Sequence, residues 1–230
     1  MSNFLREHRW RIAAVAVALA VVVVGKQLYR DATPADLRWI LAPTAQLVSW
    51  ISGYDFLYES GQGWINFDAM FVIAPACAGV NFALAAFLAL VLGSLTGMTD
   101  ARTTATRLAR AALLAYAATL VVNTTRIAIA VHMHRADLHR LEGIIVYLGG
   151  LIGLYALARA LEGRKLRTFT WFAVPLGAYL LITLVMPIAN GAAARDDFVR
   201  HATTVLAVCL VVVAIASFCD VVRFRLRRKQ

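Results

Sequence analysis

Residues 74–98 read APACAGVNFALAAFLALVLGSLTGM, a run without a single Asp, Glu, Lys, Arg or His. A helix that crosses the hydrocarbon core needs about 20 mostly apolar residues. This run is long enough, and it is apolar on every side. A surface helix of a water-soluble domain keeps a polar face. The apolar stretch begins upstream at about residue 70, and Pro75 divides it into a lead-in and a helix from about Ala76 to Met98. A proline fits the first turn of a helix, where its missing N–H is not needed.

Five similar stretches flank it, at about 11–29, 108–133, 142–161, 168–188 and 201–222. The chain of 230 residues is 61% hydrophobic and 16% charged, against about 45–50% and about 25% for soluble domains. The mean hydropathy is +0.70. The fold class expected is therefore an all-α integral membrane protein of about six transmembrane helices, forming one domain over 1–230. The net charge of +10 would suit a nucleic-acid binder, but a soluble basic protein would not carry this much apolar surface, so no nucleic-acid partner is expected. The first span, preceded by Arg6, Arg9 and Arg11, reads as an uncleaved anchor, although Val23-Val24-Gly25 is a passable cleavage site. Lys26 at its end is placed to snorkel outward.

Charge orients the stack. With both termini cytoplasmic, the N-terminus, 99–110, 159–167 and 223–230 hold 15 of the 23 basic residues. The opposite segments hold seven, against nine acids. That is the asymmetry of the positive-inside rule. Between spans 1 and 2 lies the one sizeable outer element, 30–69. Residues 34–53 carry an apolar face with Trp39 and Trp50, which predicts an interfacial helix on the outer leaflet, bent at Pro43. The stretch YDFLYESGQGWINFD (54–68) predicts a hairpin around Gly61-Gln62-Gly63.

The candidate chemistry lies with one cysteine, one intramembrane arginine and a group of histidines. Cys77 lies near the outer start of span 2, where a helix N-terminus favours the thiolate. Gly79 allows a close approach. Cys209 and Cys219 share one helix about 15 Å apart, so they cannot pair, and both read as small apolar filler. Arg126, in LVVNTTRIAIAVHMHR (120–135), is an intramembrane cation, which is costly and usually faces a bundle interior or a water-filled cavity. Asn123 shares its face. By depth, Arg126 falls in the outer half, near Cys77. His132, His134 and His139 crowd the same side, with His201. In one reading Cys77 attacks a carbonyl, a histidine moves protons and Arg126 stabilises negative charge. In a second, the protein is a transporter subunit or scaffold with Arg126 as an anion site. In a third, His132, His134, His139 and Glu142 hold a metal for hydrolysis.

The order of motifs, PACAGVNF (Cys77), NTTR (Asn123 to Arg126) and HRLEGIIVYLGGL (from His139), resembles the exosortase/archaeosortase family, most of all its K-type exosortases. The likeness covers about residues 35–160. It implies a membrane-embedded cysteine protease or transpeptidase with Cys77, Arg126 and His139 as catalytic residues, His134 and then His132 being alternatives for the third. Asn123 is a candidate substrate contact. No cofactor or metal is implied. The implied partners are membrane lipid and secreted proteins ending in a short motif, a transmembrane helix and a basic cluster, cut at the outer face of a bacterial cytoplasmic membrane through a thioester. Many members have Ser or Thr after the Cys, where this chain has Ala78. The acceptor, water or an amine or hydroxyl, and the oligomeric state stay open.

Overall fold

A computed structural model describes residues 2–133, 136–163, 168–191 and 197–227, with side chains for 8–133, 141–163, 171–191 and 197–218. Six helical segments are long and apolar enough to cross a membrane: His8–Arg30, Pro75–Gly97, Ala101–Met133, Leu141–Leu161, Trp171–Ala189 and Phe198–Phe218. They match the six expected spans closely. The helices are α1 (Ser2–Arg30), α2 (Arg38–Ser52), α3 (Val80–Ser94), α4 (Ala101–Met133), α5 (Ala136–Leu161), α6 (Thr168–Leu180), α7 (Met186–Ala189) and α8 (Phe198–Arg227). A π turn, Leu181–Val185, joins α6 to α7 just before Pro187, which has no N–H to give to the preceding turn.

The centre of the bundle is α3, packed on α1, α4, α5 and α6. Phe82, Ala85, Ala86, Ala89 and Val91 are wholly buried. Lipid tails are as apolar as the side chains, so helices associate here through close packing, which small residues allow. On α1 the buried residues fall at every fourth position, Ala14, Ala18, Val22 and Lys26, and Gly25 lets α1 approach Leu84. The α4 stripe Ala111, Ala115, Thr119 and Asn123 repeats the same spacing. A Cβ on Gly79 would meet Asn123, and one on Gly97 would meet Arg107, so α3 and α4 run antiparallel and side by side between those levels.

The helix and the hairpin between spans 1 and 2 are both present. Strands β1 (Leu57–Glu59), β2 (Gly63–Asn66) and β3 (Phe71–Ile73) form one antiparallel sheet. Tyr58 pairs with Trp64, and Trp64 with Ile73. Gly63 has φ +123, and a Cβ there would lie 2.5 Å from the Ile73 carbonyl oxygen. β3 takes up residues that the sequence reading assigned to the lead-in of span 2, so it hands the chain directly to Pro75.

The attitude of α2 differs from a helix lying flat on a leaflet. Near its start Trp39 stacks on Tyr116 of α4 with ring centroids 5.8 Å apart, and just past its end Tyr54 meets His132 at 6.3 Å. Residues 116 and 132 are about 24 Å apart along α4, and 39 to 54 spans about 22 Å. So α2 stands along α4. Its buried face, Ile40, Leu41, Thr44, Ala45 and Val48, needs an apolar partner, and α4 provides one. Pro43 sits inside α2 and cannot donate to the Trp39 carbonyl four residues back. The Tyr116 hydroxyl donates to that carbonyl instead, at 3.0 Å.

At the bundle end remote from Cys77, Arg159 donates to the Gly93 carbonyl near the C-terminus of α3 at 2.6 Å. Arg107 and Arg159 both reach Glu162, at 3.6 and 3.5 Å. Cations at a helix C-terminus complement its dipole. Asp100 caps α4 by accepting the Thr103 backbone N–H at 2.9 Å, and that bond holds its carboxyl below the ordinary range.

Candidate active site

Cys77 closes a short 3-10 turn, Pro75–Cys77, three residues before α3 begins. The break comes at Gly79, whose φ of +69 is left-handed. There a side chain would be strained, and its Cβ would come within 3.0 Å of Asn123. The thiol therefore precedes the helix, and the expectation that it sits inside the first turn of a helix starting at Ala76 is corrected. Gly79 at the N-cap shifts the start to Val80. The close approach expected of Gly79 is there, and its partner is α4. Tyr29 of α1 donates to the Pro75 carbonyl at 3.1 Å and holds the turn from the other side. Cys77 is half-buried, with Sγ 4.0 Å from the Val72 carbonyl oxygen.

A hydrogen-bonded path joins Cys77 to Arg126. Asn123 is wholly buried, and its Nδ2 donates to the Cys77 carbonyl at 2.6 Å. The Tyr147 hydroxyl donates to Asn123 Oδ1 at 2.6 Å. Arg126 Nη1 donates in turn to the Tyr147 oxygen at 3.2 Å, and its guanidinium lies 5.2 Å from the centre of the same ring. Both ends of the Asn123 amide are thus engaged within the protein, which makes Asn123 a positioning residue for the cysteine turn. Gly143 permits the Arg126 pose: a Cβ there would stand 2.9 Å from Arg126 Nε.

Arg126 is thus linked to the cysteine turn through the Cys77 carbonyl, Asn123 and Tyr147. A cation held in such a place favours an oxyanion formed by attack on a carbonyl. Beside this group opens a cavity of about 380 Å³ whose walls include Ala76, Arg126, Gly143, Tyr147 and His201.

Lys26 also lines this cavity. It is only 9% exposed, and its Nζ donates to Asn81 Oδ1 at 2.9 Å. The outward snorkelling expected of it is corrected. Position 26 continues the four-residue spacing of the buried face of α1, and Asn81 supplies an inward partner. That spacing was the signal available in the sequence. Tyr147, by contrast, had no signal beyond being a tyrosine in an apolar span.

Of the histidines, His132 holds its ring Nδ1 2.8 Å from the Ala128 carbonyl of its own helix. His134 lies outside the described residues, as does the side chain of His139, although the backbone at 139 belongs to α5. Among the described residues no three His, Cys, Asp or Glu groups come together to hold a metal. Comparisons with protein-family models, curated proteins and solved structures find no match.

Proposed function

We propose that the protein is a membrane-embedded cysteine protease or transpeptidase that acts on secreted proteins bearing a C-terminal sorting signal of short motif, transmembrane helix and basic cluster. The observation that carries this reading is the path from Cys77 through Asn123 and Tyr147 to Arg126, at the edge of a cavity. Two residues nearly fifty apart in the chain, one nucleophile and one cation, are held in a common frame. The resemblance of their motifs to exosortases supports the same assignment.

In this reading the Cys77 thiolate attacks the scissile carbonyl carbon, and Arg126 stabilises the oxyanion. The C–N bond breaks, and the leaving amine takes a proton from a histidine, for which His139 is the candidate. Water, an amine or a hydroxyl then attacks the thioester and gives its proton to that histidine, and the C–S bond breaks to return the thiolate. The site faces outward from a bacterial cytoplasmic membrane.

The test is processing of a tagged C-terminal sorting signal in cells. Cys77→Ala, Arg126→Ala and His139→Ala should each abolish cleavage while the protein still inserts. Unimpaired cleavage by Cys77→Ala would refute the proposal. The two cations on the cavity wall, Lys26 and Arg126, also suit a non-enzymatic anion site. That reading expects Arg126→Ala to matter and Cys77→Ala to be silent.

A further inference from the structure

At the bundle end remote from Cys77, three arginines line one small cavity. Arg107 and Arg110 come from α4 and Arg159 from α5, with the last turns of α3 closing the space. Glu162 is the one acid in the described lining. It meets Arg107 and Arg159 at 3.6 and 3.5 Å, so the wall keeps a surplus of two positive charges. Two of the guanidinium groups are fixed in place. Arg159 donates to the Gly93 carbonyl at 2.6 Å, and Arg107 lies against Gly97, where a Cβ would collide with it. Arg110, one turn deeper on α4, is exposed and meets no acid among the described residues. A charge within a spanning helix is costly and marks a function, and the chemistry proposed for Cys77 gives this one no task.

We propose that this cavity binds the phosphodiester of an anionic phospholipid, held by Arg107, Arg110 and Arg159. Depth is the first argument. Residues 107 and 123 are about 24 Å apart along α4, close to the thickness of the hydrocarbon core. The arginines therefore stand near one boundary of the core when Asn123 stands near the other. The wall is also graded. Leu90 and Leu114 line it about a turn further in than Gly93 and Arg110, and a phospholipid has the same order, phosphate first and acyl chain beneath. The cavity of about 30 Å³ admits about two water-sized groups. That suits the two non-ester oxygens of a phosphodiester and is too small for a peptide or a nucleotide. Arginine forks bind phosphate oxygens in pairs. Free phosphate shares this chemistry but makes no use of the apolar wall, and a zwitterionic headgroup would bring an ammonium into the positive surplus. On the positive-inside rule this end is expected to face the cytoplasm, where basic pockets between spans take anionic headgroups. The proposal does not rest on any role of Cys77.

The experiment is native mass spectrometry of the full chain, delipidated in detergent and titrated with dioleoylphosphatidylglycerol or dioleoylphosphatidylcholine. The anionic lipid should half-saturate the protein at a concentration about tenfold lower. Arg110→Gln should raise that concentration about tenfold, the loss expected of one charged hydrogen bond, and Arg110→Lys, which keeps the charge, should retain most of the affinity. Arg102→Gln removes an exposed charge near the same end but outside the cavity, and should leave binding unchanged. Arg110 is exposed, so the thermal melts of these variants should match that of the parent. Equal binding of the two lipids, including none, overturns the proposal. So does an Arg110→Gln protein that binds like the parent. Equal losses in Arg102→Gln and Arg110→Gln would show a diffuse field in place of a site and overturn it too. If inorganic phosphate at the concentration of the lipid displaces it, the ligand is a soluble phosphate and the lipid assignment is overturned.

Discussion

Gly143 is the point where one methyl group would reach Arg126. Its absent Cβ leaves 2.9 Å to Arg126 Nε, so an alanine there must push the guanidinium off Tyr147. Gly143→Ala should lower processing about tenfold or more, because small displacements of a positioned group are costly to rate. Gly149→Ala, on the same helix with nothing within 4 Å of its Cβ, should leave processing unchanged. Cleavage rates of the two variants, with thermal melts to show that both fold, decide it. At this scale the sequence exposed the residues with unusual chemistry for their place. Cys77, Asn123 and Arg126 stand out because a membrane span tolerates few polar groups. It did not expose Tyr147, because a tyrosine in an apolar span reads equally well as a belt residue. The inward turn of Lys26 was signalled only by its four-residue spacing from Ala14, Ala18 and Val22, against the ordinary reach of a helix-end lysine for water.

At the scale of elements, α2 shows how a defect in one helix is mended by another. Pro43 leaves the Trp39 carbonyl without its helical donor, and Tyr116 supplies one across the interface. Tyr116→Phe should destabilise the protein by about 1 kcal/mol through the orphaned carbonyl. Adding Pro43→Ala restores the helical N–H and should recover part of that loss. A double-mutant cycle on thermal denaturation measures the coupling, and strictly additive effects would show that the bond contributes nothing. The sequence foresaw a helix at 34–53 and a hairpin after it. It did not foresee that α2 stands upright, since an apolar face signals burial without naming the partner. The start of α3 at Val80 turned on the left-handed Gly79, which lies close against Asn123 of another helix, a contact invisible in a linear reading.

At the scale of the whole molecule the charges divide the two ends. The end remote from Cys77 holds the Arg107, Arg159 and Glu162 cluster, and the six spans fall where hydropathy put them. On the positive-inside rule the Cys77 end is expected to be the outer one. In intact cells carrying the Cys209→Ala, Cys219→Ala protein, a membrane-impermeant maleimide should label Cys77. Labelling only after the membrane is opened would reverse the orientation. Span positions are legible because they follow from composition over some twenty residues. The site is less legible because it is built from contacts among α1, α3, α4 and α5, each of which contributes one or two polar groups.

The pairing of α3 with α4 carries one more consequence. Between Gly79 and Gly97 the two helices run level, about 27 Å by helical rise, close to the thickness of the hydrocarbon core. Beyond Asn123, α4 continues ten residues to Met133, flanked by α2. A hydrocarbon core matched to that length would place the cysteine turn where the acyl chains end. A thicker bilayer would draw it toward the oil and a thinner one would lift it into the headgroups, so lipid chain length itself becomes a control on how wet Cys77 is.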